Sequence, residues 1–144
     1  MSTVETLGSM LVREEIISRT QLYDALRLQR ENGRLLGTCL LQLGHIDPNV
    51  LLKMLSQHLD IPALPAGCLH KAAIEAVQRV PREIAFRLRI VPFSWDEQIL
   101  GLAITDSRVL TQLNEVAYHA RAAVGVYLGL EIEIETVLPI LYQQ

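Results

Sequence analysis

The stretch Leu7-Gly8-Ser9-Met10-Leu11-Val12 returns 29 residues later as Leu36-Gly37-Thr38-Cys39-Leu40-Leu41. The correspondence continues beyond it: Ile17 falls on Ile46, Ser18 on Asp47, Leu22 on Leu51 and Leu26 on Leu55. Self-similarity at a fixed offset marks a duplicated supersecondary unit. Both copies read L-G-x-x-L-[VL]-x-x-x-x-I-[SD]-x-x-x-L-x-x-x-L, which predicts a short helix, a turn and a second helix. Leu7, Met10 and Leu11 lie at i, i+3 and i+4, an apolar stripe of helical period. Ser18 is placed to cap the second helix, with Gln21 completing a capping box. That helix carries Leu22, Leu26 and Gln29 on one face and ends near Asn32-Gly33. In the second copy Gly44 ends the first helix, Asp47 caps the second and Pro48 sits in its first turn, where a missing N–H costs nothing. Neither hairpin can bury a face alone, so the two should pack together as a bundle over residues 1–62.

Pro62-Ala63-Leu64-Pro65-Ala66-Gly67 cannot continue a helix and reads as a linker. Beyond it, residues 63–144 read as a small α/β subdomain. Helices are expected at Lys71–Gln78 and after Pro81, then a hairpin of Arg89–Ser94 and Ile99–Thr105 around Trp95-Asp96-Glu97-Gln98. Asp106 or Ser107 should cap a helix with Val109, Leu110, Leu113, Val116 and Ala117 on its apolar face. Leu130–Val137 alternates strictly and predicts a half-buried strand with Glu131, Glu133 and Glu135 facing solvent. The fold class is therefore α+β, a helical bundle of two repeated hairpins followed by an αββαβ-like unit.

Composition narrows the function. The 144 residues are 50% hydrophobic and 20% charged with a formal net charge of −3, enough chain for a core without disulfides or metal. The charge divides as −1 over residues 1–62 and −2 over the rest, so neither half offers the basic face that phosphate backbones require. No apolar run approaches the ~20 residues of a membrane span, and Met1–Glu5 precedes no signal-peptide core. A cytoplasmic protein without nucleic-acid partner or direct membrane insertion is expected. Cys39 reads as a buried thiol, and Cys39 and Cys68 suggest no disulfide framework. The histidines His45, His58, His70 and His119 lack metal-ligand spacing, so no metal site is assigned. No catalytic residue is assigned either: Asp106 at a strand end is explained by helix capping.

The tandem repeat, together with Leu55-Ser56-Gln57-His58-Leu59-Asp60-Ile61-Pro62, Val80-Pro81-Arg82-Glu83-Ile84-Ala85, Ile90-Val91-Pro92 and Leu102-Ala103-Ile104-Thr105-Asp106, resembles the N-terminal domain of type II secretion and type IV pilus assembly ATPases. The resemblance covers almost the whole chain. It implies a non-catalytic cytoplasmic module that docks on the cytoplasmic part of an inner-membrane platform protein, which would recruit it to the membrane. In other members, it implies a module that binds cyclic di-GMP as a regulatory ligand. The catalytic signature is missing: a P-loop needs G-x-x-x-x-G-K-[ST], and this chain has no Gly-Lys dipeptide. An excised piece of a longer ATPase and a stand-alone module both fit.

The family's nucleotide-binding repeat reads approximately R-L-G-x-x-L-V-x-x-G-x-I-x-x-x-x-L-x-x-x-L-x-x-Q. The first copy keeps Leu7, Gly8, Leu11, Ile17, Leu22, Leu26 and Gln29 but has Thr6 at the Arg position and Glu15 at the second Gly. The second keeps Leu36, Gly37, Leu40, Gly44, Ile46, Leu51 and Leu55 but has Leu35 and His58 at the Arg and Gln positions, with Arg34 displaced by one. The departures fall on polar residues, which favours docking over nucleotide binding. If a cyclic dinucleotide binds, the resemblance points to Gly8, Gln29, Arg34, Gly37, Gly44 and His58 as its contacts.

Overall fold

A computed structural model describes residues 5–143, and the chain divides into two compact units, Met1–Asp60 and Ile61–Gln144. In the first, α1 (Leu7–Arg13), α2 (Arg19–Asn32), α3 (Leu36–Gln42) and α4 (Pro48–Leu59) realise the duplication residue for residue at their starts. The capping box of Ser18 and Gln21 is formed. Asp47 accepts from the Asn49 and Val50 amides, and Pro48 occupies the first turn of α4. Gly33 closes α2 in the left-handed conformation at φ 70°.

The two interhelical turns are superimposable in their hydrogen bonds. Glu14, Glu15 and Ile16 donate to the carbonyls of Met10, Val12 and Leu11, and Leu43, Gly44 and His45 donate to those of Cys39, Leu41 and Leu40. The core of the unit is built from matched positions of the two copies: Met10 with Cys39, Leu11 with Leu40, Ile17 with Ile46, and Ala25 with Met54. Duplication thus supplies both halves of one core, which answers why neither hairpin suffices. The face of α2 differs from expectation. Ala25 is fully buried, whereas Leu26 is 36% exposed.

The second unit carries a three-stranded sheet in the order β1 (Ile90–Trp95), β2 (Ile99–Ile104), β3 (Ala123–Leu128). The β1–β2 pair is the expected antiparallel hairpin, with a bulge between Pro92 and Ser94. The β2–β3 pair is parallel and so needs a crossover. The crossover is a 3-10 turn over Ser107–Gln112, capped by Asp106, followed by α7 (Leu113–Ala120). Val109 and Val116 of that stretch are buried, but Leu110 is 40% exposed. Leu100, Leu102, Ala103 and Ile104 are all fully buried, as befits a central strand covered on both faces. Ahead of β1 the expected helix over residues 71–78 is broken into a 3-10 turn, Leu69–Lys71, and the single turn α5 (Ile74–Val77). The helix after Pro81 is α6 (Arg82–Leu88). The Arg79 guanidinium lies 3.7 Å over the Trp95 ring and donates to the Ala120 carbonyl, joining β1 to the end of α7.

Two expectations are overturned. Leu130–Val137 is no strand: it opens α8 (Glu131–Leu141), and the third strand is the preceding Ala-Val-Gly-Val-Tyr-Leu. Alternation hid a second period, because Leu130, Ile134, Val137 and Leu138 also lie at i, i+4, i+7 and i+8, and all four are buried. The acidic residues are accordingly not a solvated face. Glu131 is buried and paired with Arg89 at 3.4 Å, Glu135 pairs with the same guanidinium at 3.2 Å, and Glu133 accepts the amides of Gly67 and Leu69. The Pro62–Gly67 segment continues no helix, as expected, but it is tied to the sheet. The Leu128 amide donates to the Pro62 carbonyl and the Leu64 amide to the Leu128 carbonyl, a parallel bridge on the outer edge of β3.

Candidate functional site

The six positions singled out from the repeat lie at the ends of its helices. Gly8 and Gly37 open α1 and α3 and are buried. A β-carbon on Gly8 would stand 2.8 Å from Leu22 Cδ1, and one on Gly37 would stand 3.0 Å from Leu51 Cδ1 and Cδ2. Leu22 and Leu51 are themselves equivalent in the repeat, so each Leu-Gly pair exists where the following helix lays a leucine on the glycine face. Close helix crossing is what a missing side chain permits.

Gln29 and Arg34 are brought together: the Gln29 side-chain amide donates to the Arg34 carbonyl at 3.0 Å. Asn32 sits beside them, accepting from the Arg34 amide and donating to Gln42. The loop between the copies is thereby pinned by polar side chains of α2 and α3. Gly44 lies in the α3–α4 turn at φ 74° with open space around its α-carbon. His58 lies in the last turn of α4, close enough to Glu5 to favour that carboxylate's charge, after the stronger effect of the Arg13 hydrogen bond. Glu15 occupies in the first copy the place of Gly44 and adopts the same left-handed geometry at φ 61°.

A second feature was not read from the sequence. Between α1 and α2 runs a cleft of about 500 Å³ lined by Ser9, Val12, Arg13, Arg19, Leu22, Tyr23 and Leu26. Tyr23 is 72% exposed. Arg13 is engaged by Glu5 and Glu14, each at 2.8 Å, and its hydrogen bond to Glu5 holds the Glu5 carboxyl below its usual range. The signal available in the sequence was the departure from the repeat, since Arg13, Arg19 and Tyr23 stand where the second copy has Gln42, Pro48 and Leu52. Among the described residues no cluster of three or more His, Cys, Asp or Glu could hold a metal. No helix among them is long and apolar enough to cross a membrane.

No family model matches the chain. Over 138 residues, 96% of its length, it is 27% identical to the type IV pilus assembly ATPase PilB of Myxococcus xanthus (strain DK1622), of which it spans 24%. A solved structure of MshE with cdg is 28% identical, with a TM-score of 0.69 over 96% of this chain and 99% of that one. The N-terminal domain of XpsE, 20% identical, matches with a TM-score of 0.63 over 96% and 95% of the two chains. The chain thus has the fold of the XpsE N-terminal domain. It also resembles the secretion and pilus ATPases along nearly its whole length, as the tandem repeat implied.

Proposed function

We propose that the chain is a non-catalytic regulatory and docking module of the kind that forms the N-terminal domain of secretion and pilus ATPases, acting in the cytoplasm and recruited to the inner membrane by the cytoplasmic part of a platform protein. The observation that carries this reading is the extent of the match: it runs along nearly all of this chain yet spans only 24% of the pilus ATPase. The sequence itself holds no Gly-Lys dipeptide on which a P-loop could be built. Within the repeat, the glycine faces are taken up by leucines, which supports a scaffolding role for the Leu-Gly pairs. A pull-down with the whole chain against the cytoplasmic part of platform proteins tests the reading. Retention of one is expected, and a chain that retains none of them refutes it.

A second reading is favoured by one observation, the similarity to the structure of MshE with cdg. In it cyclic di-GMP is a regulatory ligand held by Gly8, Gln29, Arg34, Gly37, Gly44 and His58. Guanine and phosphate recognition draws on guanidinium and amide donors, which the Arg34 guanidinium would supply together with the Gln29 amide once that amide leaves the Arg34 carbonyl. Calorimetry decides between the readings: micromolar binding abolished by Arg34→Ala would establish the receptor. Thr6→Arg with Glu15→Gly, which returns both lost residues of the motif, should then tighten it.

A further inference from the structure

We propose that the cleft between α1 and α2 is a docking groove for an amphipathic helix of a partner protein, with a carboxylate of that helix meeting Arg19. The proposal rests on the docking reading above and gives the partner its chemistry. Isolated exposed apolar residues are ordinary, but Tyr23 and Leu26, 72% and 36% exposed, adjoin Val12 and Leu22 in one concave surface. Along α2 the positions Arg19, Leu22, Tyr23 and Leu26 form a stripe two turns long, about 10 Å at 1.5 Å per residue. An incoming helix reads such a stripe with anchors at i, i+3 or i+4, and i+7.

The duplication provides an internal comparison. In the second copy the positions matching Ser9, Leu22 and Tyr23 are Thr38, Leu51 and Leu52, and these are 3%, 2% and 3% exposed. The first copy exposes Tyr23 where the second buries Leu52, while Pro48 and Leu55, matching Arg19 and Leu26, are unburied in both, and it furnishes the stripe with arginine and tyrosine, types enriched in interface cores. Charge then selects the partner. Arg13 is already matched by Glu5 and Glu14, whereas the Arg19 guanidinium has no hydrogen-bond or ion-pair partner among the described residues. A single unmet guanidinium at one end of an apolar groove fits a helix with one carboxylate in register, where two parallel N–H···O bonds are available.

Two synthetic four-turn helical peptides with the same leucine face, one carrying Glu and the other Lys at the matching flank, provide the probe. They are titrated into the isotopically labelled full chain and followed by amide chemical shifts. The Glu peptide should shift amides of α1 and α2, including Val12, Tyr23 and Leu26. Arg19→Glu should weaken it by roughly tenfold and improve the Lys peptide, and Tyr23→Ala should weaken both. Each side chain is exposed, so the variants are expected to keep the wild-type melting profile. Shifts confined to other elements, equal affinity for the two peptides, no shift at millimolar peptide, or self-association through the groove in sedimentation would each overturn the proposal. The platform-protein pull-down separates it from the broader reading. Retention by the Arg19→Glu, Tyr23→Ala double variant overturns the groove and leaves docking standing. A wild-type chain that binds the Glu peptide in the cleft but retains no platform protein upholds the groove and refutes the docking reading.

Discussion

At the scale of single residues, the two copies of the repeat act as controls for one another. Glu15 and Gly44 share one turn geometry, but only glycine adopts it without a steric penalty of about 1–2 kcal/mol. Glu15→Gly should relieve that penalty against about 0.5–1 kcal/mol of lost backbone entropy, a net stabilisation of up to about 1.5 kcal/mol in urea titration. Gly44→Ala should move stability the other way. Gly8 was legible as a residue at a helix start, but not what faced it. The leucine methyl 2.8 Å from its missing β-carbon predicts that Gly8→Val costs about 1–3 kcal/mol by overpacking. Leu22→Ala in the same chain should recover part of that loss, and additive effects of the two changes in a double-mutant cycle would show that they do not touch. The polar site residues were legible only as motif positions. That Gln29 spends its amide on the Arg34 carbonyl depends on a loop path that no spacing rule encodes.

Elements with caps are legible in the sequence, and elements with competing periods are not. Ser18, Asp47, Gly33 and Gly44 announce the helix ends of the repeat, because each satisfies or relieves a specific backbone group. Leu130–Val137 fits both a strand and a helix, and the choice was made by partners distant in sequence. Glu133 in the first turn of α8 accepts the amides of Gly67 and Leu69, which a strand starting at Leu130 would not place in reach. Glu133→Ala should therefore cost about 1.5–3 kcal/mol, the range for hydrogen bonds to a charged group, at the lower end because the site is half exposed. The same change should accelerate hydrogen exchange at the Gly67 and Leu69 amides. The hairpin turn carries its own pH dependence. The Ile99 and Gln98 amides both donate to Asp96 Oδ1 and hold its carboxyl below the usual range. The stabilisation is thus complete above about pH 4, the unperturbed value, and is lost as pH falls through the lower folded value. Asp96→Asn should flatten this acid limb of a stability-against-pH curve while leaving the neutral plateau to report any change in the turn itself.

For the whole molecule, the prolines at 62 and 65 look like punctuation between two modules, but the chain is already engaged at Pro62. The bridge of Pro62 and Leu64 to Leu128 makes this segment part of the second unit's sheet edge. In native-state hydrogen exchange of the full chain, the Leu64 and Leu128 amides should be protected together with β2 and β3. Exchange of Leu64 at the rate of an open loop would return the segment to the status of a linker. The duplication, the α+β class and the absence of a P-loop followed from the sequence alone, because periodicity, caps and motif chemistry are local and survive without knowledge of the fold. The third strand, the helix that follows it, the pairing of Glu131 and Glu135 with Arg89 and the open groove beside Tyr23 were decided by tertiary structure. Along Leu130–Val137 the side chains satisfied two local patterns at once, and burial and pairing against residues far along the chain selected between them.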